Sequence, residues 1–154
     1  MPKMTPGYAK NTIRRALRAV VDPEPTAMEI KELWAHFDSA CAYCGRQLSK
    51  VDRGGHIDHL VSGGTNHISN RVLACPPCNG DEKRESNWKE FLELKCASDV
   101  GMFNQRSQKI QSWRKANERL PARIKESELE KEIEQAVGAF DSAVANLRRL
   151  RNLQ

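Results

Sequence analysis

The residues 41–45 read CAYCG and the residues 75–79 read CPPCN. Two Cys-x-x-Cys knuckles, Cys41/Cys44 and Cys75/Cys78, supply the four thiolates of a tetrahedral structural zinc site, with Zn–S bonds of about 2.3 Å and no open coordination position. Such an ion staples a fold and does not hydrolyse anything. Gly45 after the first knuckle permits the tight turn that lets both sulfurs face one ion. The gap between the knuckles is longer than a compact ribbon needs, so an insertion folds between them. The fifth cysteine, Cys96, stands outside both pairs and reads as a small core residue.

That insertion holds the pair Asp58-His59. Around it, HIDHLV at 56–61 reads as a short strand, 62–69 as a loop opened by Gly63-Gly64, and RVLA at 71–74 as the returning strand. A helix is expected from Asn79 to about Lys95. A structural ribbon alone has no use for an Asp-His pair, for Asn70 in the loop, or for Asn79 directly behind the last cysteine. If the chain is an enzyme, a second site for a hard cation is required, and Asp58, His59 and Asn79 are the residues available to build it. Their oxygen donors suit Mg²⁺ or Mn²⁺, and the His59 imidazole is the group able to take a proton from water near neutral pH. Strand alternation sends Asp58 and His59 to opposite sides. Both serve one site only if the strand ends or bulges there.

Working outward, residues 1–10 carry Pro2, Pro6 and Gly7 and read as unstructured. A basic helix over Asn11–Val21 follows, with Arg14, Arg15 and Arg18 around an apolar line of Ile13, Leu17 and Val20. It is either a solvated face or an arm along a phosphate backbone. After Pro23-Glu24-Pro25, Thr26 and Glu29 form a capping box that opens a helix with Ile30, Leu33, Trp34 and Phe37 on one stripe. Gly101 marks a break before a helix carrying Phe103, Ile110, Trp113 and Leu120, ended by Pro121. Leu129, Ile133, Val137, Phe140, Val144 and Leu147 then make a heptad-like seam. An antiparallel hairpin with the preceding helix, or a dimer-forming coiled coil, accounts for it.

Composition fits a small stapled module with helical extensions. Charged residues make up 29% of the chain and aromatics 6%, so the core is modest and a metal helps to hold it. The net charge of +5 favours polyanionic partners. The odd cysteine count, the paired spacing and an N-terminus without an apolar signal segment make a reducing, cytoplasmic setting the expectation. No apolar run is long enough for a membrane span. The expected organisation is a basic arm over 1–25, the metal module over 26–98 and a helical hairpin or coiled coil over 99–154. The fold class is α+β, mostly helical.

CAYCG at 41–45, HIDHLVSGGTNHISNRVLAC at 56–75 and CNGDEKRE at 78–85 together resemble the HNH endonuclease family, the zinc-stapled ββα-metal nucleases. The resemblance implies a metal-dependent DNA endonuclease. His59 matches the motif His that acts as general base, and Asp58 the acidic metal ligand before it. Asn70 matches the central Asn that fixes the loop and orients the His. Asn79 falls where the last motif His stands, as second ligand of the catalytic Mg²⁺ or Mn²⁺, which makes this an HNN variant. His56, Arg71, Lys83, Arg84, Arg14, Arg15 and Arg18 are the candidate nucleic-acid contacts. Two positions depart from the pattern: Ser62 stands where Pro is frequent, and the basic residue near Lys83 often sits one place earlier. A non-catalytic zinc ribbon that binds nucleic acid is the alternative, and it leaves Asp58, His59 and Asn79 without a task.

Overall fold

The computed structural model describes residues 4–51, 54–97, 99–118 and 124–152. They form α1 (Pro6–Val21), α2 (Ala27–His36), β1 (His56–His59), β2 (Arg71–Ala74), α3 (Trp88–Cys96), α4 (Val100–Ala116) and α5 (Glu126–Arg151). A 3₁₀ turn over Ile68–Asn70 precedes β2, and a π-helical segment over Pro77–Glu82 follows it. The fold is α+β and mostly helical, as expected. The chain divides into two compact units, one of Glu24–Leu120 and one of Met1–Pro23 with Pro121–Gln154.

The larger unit is built on a small hairpin. β1 and β2 pair antiparallel, with His56 opposite Ala74, Asp58 opposite Val72 and His59 opposite Arg71. Every residue of β2 is buried, whereas β1 buries Asp58 alone, so β2 is the inner strand. The α2 stripe closes over the hairpin through Leu33, Trp34 and Phe37, all buried. The capping box that starts α2 is complete: Glu29 N–H donates to Thr26 Oγ1 and Thr26 N–H to Glu29 Oε2. α3 and α4 supply Phe91, Leu92, Ile110 and Trp113 to the same core, and Trp113 Nε1 donates to the Ile68 carbonyl, tying α4 to the 3₁₀ turn.

In the smaller unit α1 and α5 run antiparallel, because Lys10 pairs with Asp141 and Arg18 with Glu126 and Glu130. Leu129, Ile133 and Val137 of α5 are buried against Ile13, Leu17 and Val21.

Several expectations change. A hairpin with α4 is one of the two expectations for the α5 seam. Ile110 and Trp113 are spent in the core of the larger unit, and the α5 seam packs on α1 instead. The compact units divide at 23/24 and 120/121, beside expected domain limits of 25/26 and 98/99. The first half of the seam offered to a dimer is covered within the chain, while Leu147 is exposed. α1 starts at Pro6, not Asn11, because Thr5 caps it and proline is tolerated in a first turn. The helix expected from Asn79 to Lys95 is broken. The π-helical segment stops at Glu82, Arg84 adopts φ 49°, and Asn87 caps a separate α3. Asp99 caps α4, so Gly101 lies inside the helix. The expected terminus at Leu120 and Pro121 falls outside the described residues.

Candidate metal centre and active site

The sulfurs of Cys41, Cys44, Cys75 and Cys78 all lie within 4.8 Å of one another. Sulfurs at about 2.3 Å from one ion stand about 3.8 Å apart on a tetrahedron, and Cys44 Sγ is 3.7 Å from Cys75 Sγ. None of the four is in a disulfide. Burial, only partly offset by backbone N–H donors, pushes the Cys41 thiol up to about 11. Burial and the neighbouring sulfurs push Cys78 higher still. Cys41 and Cys78 therefore need a cation beside them to become thiolates, and the four-sulfur donor set fits zinc. Cys96 is buried elsewhere in the core and is not part of the cluster.

The first knuckle is shaped by a residue that the sequence reading missed. Arg106 of α4 donates from Nη1 to the Tyr43 carbonyl (2.7 Å) and from Nη2 to the Cys44 carbonyl (3.1 Å). Gly45, at φ 74°, leaves the room this guanidinium occupies, since a Cβ there would lie 2.5 Å from Arg106 Nη2. No local pattern links Arg106 to the knuckle, and only the packing of α4 reveals it.

β1 ends at His59, and its two last side chains leave on opposite faces. Asp58 turns inward and is 7% exposed. Its Oδ2 accepts from the Tyr43 hydroxyl (2.9 Å) and pairs with Lys83 Nζ (3.1 Å). Burial raises the Asp58 carboxyl above its usual range, against the opposing pull of Lys83 and the Tyr43 hydrogen bond. Burial, with the Asp58 charge adding to it, also drives Tyr43 upward, so it remains a phenol and a donor. Both partners address Oδ2, which leaves Oδ1 as the carboxylate oxygen for an ion. His56 shares the Asp58 face of the strand, and its Nδ1 lies 3.1 Å from Asn79 Nδ2. Asn79 is thereby held beside that face by the π-helical segment.

His59 faces the loop. Arg71 Nη1 donates to its Nδ1 (3.2 Å), since a guanidinium has no acceptor. Asn66 Oδ1 accepts from Arg71 Nη2 (2.6 Å) and lies 3.1 Å from His59 Nε2, so Nε2 is the ring's donor. The hydrogen bonds specify a neutral ring protonated on Nε2. Arg71 Nη2 also reaches Glu24 Oε2 at 2.8 Å. Asn70 pins the loop that carries Asn66: Oδ1 accepts from Val61 N–H, and Nδ2 donates to the Val61 and Thr65 carbonyls.

The expected nucleic-acid contacts separate. Lys83 is 1% exposed and its ammonium also donates to the His59 carbonyl (2.6 Å), so it is an internal counter-ion and does not face a phosphate backbone. Arg71 is buried and pairs with the exposed Glu24. Arg84, Arg14 and Arg15 are exposed, and Arg18 is engaged by Glu126 and Glu130. His56 is exposed. The reading missed Tyr43, Asn66 and Glu24. The tyrosine between the two knuckle cysteines was the nearest thing to a signal.

Residues 41–85 match the family model described as HNH endonuclease. The matched stretch runs from the first knuckle cysteine through the hairpin and the π-helical segment to Glu85, and this stretch is similar to the HNH endonuclease domain. Neither the curated proteins nor the solved structures include a match to the chain. The family match points to nuclease activity in general, and DNA is the substrate it implies. Among the described residues no helix is long and apolar enough to cross a membrane.

Proposed function

We propose that this protein is a metal-dependent DNA endonuclease that hydrolyses phosphodiester bonds with His59 as general base. The observation that carries the reading is the His59 ring. It is half-buried at the end of β1, neutral by its hydrogen bonds, and has its basic lone pair on Nδ1.

The strand stops at His59, so that imidazole and Asp58 meet one phosphate around its end, where Asp58 through Oδ1 and Asn79 through its amide oxygen fit a hard cation. One carboxylate and one amide suffice for Mg²⁺ or Mn²⁺, which complete their shells with water and phosphate oxygens. Bound there, such an ion supplies charge neutralisation at the phosphate and the leaving oxygen. His59 takes the proton of the attacking water at Nδ1, while Nε2–H stays on Asn66 Oδ1 and keeps the imidazole oriented. The water oxygen forms the new bond to phosphorus and the bond to the 3′-oxygen breaks, giving 5′-phosphate and 3′-hydroxyl ends. Asn70 acts through the loop, holding Asn66 where it can receive the ring N–H. Tyr43 and Lys83 fix the carboxylate of Asp58. The zinc cysteines hold the hairpin and the π-helical segment together and take no part in the chemistry.

The basic exposed residues of α1, Arg14 and Arg15, and Arg84 are proposed as backbone contacts, weakly selective for sequence. A homodimer would use the uncovered end of α5 and would favour paired cuts. The test is a plasmid-nicking assay with Mg²⁺ or Mn²⁺, run beside His59→Ala. Loss of cutting by about 10²- to 10⁴-fold with zinc content and fold retained supports the reading, and cutting indifferent to the substitution removes it.

A further inference from the structure

A general base needs a free lone pair, and His59 does not have one in this arrangement. Its Nδ1 is taken by Arg71 Nη1 at 3.2 Å, where the water to be deprotonated would have to sit, and Nε2 carries the proton given to Asn66. We infer that Arg71 is the residue that receives the substrate phosphate, that Glu24 holds it in waiting, and that exchange of one anion for the other frees Nδ1. This inference rests on the nuclease reading and deepens it.

The arrangement of the guanidinium supports the exchange. Its inner edge is anchored on the loop, with Nε donating to the Asn66 carbonyl (3.1 Å) and Nη2 to Asn66 Oδ1 (2.6 Å). The same Nη2 also donates to Glu24 Oε2 at 2.8 Å. The Arg71 side chain is 6% exposed and that of Glu24 is 73% exposed, so the carboxylate is the solvent-side cover of the guanidinium. An ion pair whose acid is so exposed is held weakly. Phosphate oxygens accept the same planar, charge-assisted bonds from arginine that a carboxylate does, and a phosphodiester arrives from the side Glu24 covers. A phosphodiester that takes Glu24's place at Nη2 brings a second oxygen to the neighbouring Nη1, an anionic acceptor that outcompetes a neutral imidazole nitrogen. Nδ1 is then open to water. Glu24 itself lies between Pro23 and Pro25, in a break where its side chain has no helix to stabilise.

The experiment uses the full chain carrying Glu24→Gln, with Glu32→Gln, an exposed acid of α2, as the control for loss of one negative charge. Binding to a fluorescent duplex in EDTA is read by anisotropy, and nicking of plasmid with Mn²⁺ is followed at subsaturating DNA. Glu24→Gln is expected to tighten binding about 2- to 5-fold and to raise kcat/KM by a similar factor through KM, with Glu32→Gln near wild type. Unchanged or weaker binding, slower cutting, or an equal gain from Glu32→Gln would overturn the exchange and leave Glu24 as a mere brace for Arg71. A wild-type protein that binds duplex but never cuts would sink the nuclease reading, and the binding arm would still decide whether Glu24 competes with phosphate.

Discussion

Lys83 Nζ lies 3.1 Å from Asp58 Oδ2, and the two side chains are 1% and 9% exposed. The pair joins the π-helical end of the module to the hairpin, and it explains why the chain does not run as one helix from Asn79. Lys83 must turn inward to reach the carboxylate, so the helix stops beside it and restarts at Asn87. Removing one member strands the other in a poorly solvated place. Lys83→Met is therefore expected to cost about 3–5 kcal/mol of stability. Asp58→Asn with Lys83→Met should recover part of that loss. Urea unfolding of the two single variants and the double variant checks this: strictly additive losses would show that the two groups do not act as a pair.

The elements of the site were readable in the sequence, but its side-chain partners were not. Two paired cysteine spacings announced the sulfur cluster, and the short strand through HIDH ends where Asp58 and His59 stand. Local signals also marked Thr26 and Glu29 as a cap. Lys83 looked like an exposed helix charge because it stands among Asp81, Glu82 and Glu85. Its fate is set by Asp58, which is distant in sequence. Arg71, Asn66, Glu24 and Arg106 act through contacts that tertiary packing alone creates. The seam of α5 was visible too, but periodicity does not say which apolar face answers it, and α1 does so in place of α4.

Zinc removal gives a second expectation. The knuckles clamp both ends of the hairpin insertion, and metal binding at such a cluster is folding free energy. Chelation, or Cys75→Ser, should release one zinc per chain and lower the melting temperature of the protein, with the near-ultraviolet signal of the core tryptophans collapsing. Thiol titration of the intact protein should find the four knuckle cysteines protected by metal. An unchanged melting temperature after complete demetallation would show that the apolar core of the larger unit stands alone.

The cap of α2 makes stability depend on pH. The Thr26 backbone N–H, and then its hydroxyl, hold the Glu29 carboxyl below its usual range. A carboxyl whose folded value is lowered contributes stability that is present above the unfolded value and is lost as pH falls through the folded one. The difference in stability between wild type and Glu29→Ala should therefore be constant from pH 7 down to about 4.5 and shrink below it. The change should be about 0.5 kcal/mol, because the group is partly exposed and screened. Thr26→Ala removes the side-chain half of the box and should cost about 1 kcal/mol. Denaturation series at several pH values would test both, and a gap that widens in acid would contradict the assigned direction.

Asn70 and Gly64 form one device. The amide of Asn70 satisfies Val61 and Thr65 across the loop, and Gly64 passes so close that a Cβ would lie 2.7 Å from Asn70 Nδ2 and 2.9 Å from the Val61 carbonyl. The flexible end of a surface side chain could yield, but an amide fixed by three bonds cannot. Gly64→Ala is therefore expected to cost about 1–3 kcal/mol and to displace the loop that holds Asn66 against His59. Asn70→Asp keeps the acceptor for Val61 N–H and loses the donors to the two carbonyls, which sets a carboxylate against them. Both variants should lower kcat more than they raise KM, since they misplace the base and leave the surface that meets DNA intact. Single-turnover cleavage alongside duplex binding separates the two effects. If kcat is preserved while only affinity falls, the loop serves DNA binding and the orientation of His59 has another source.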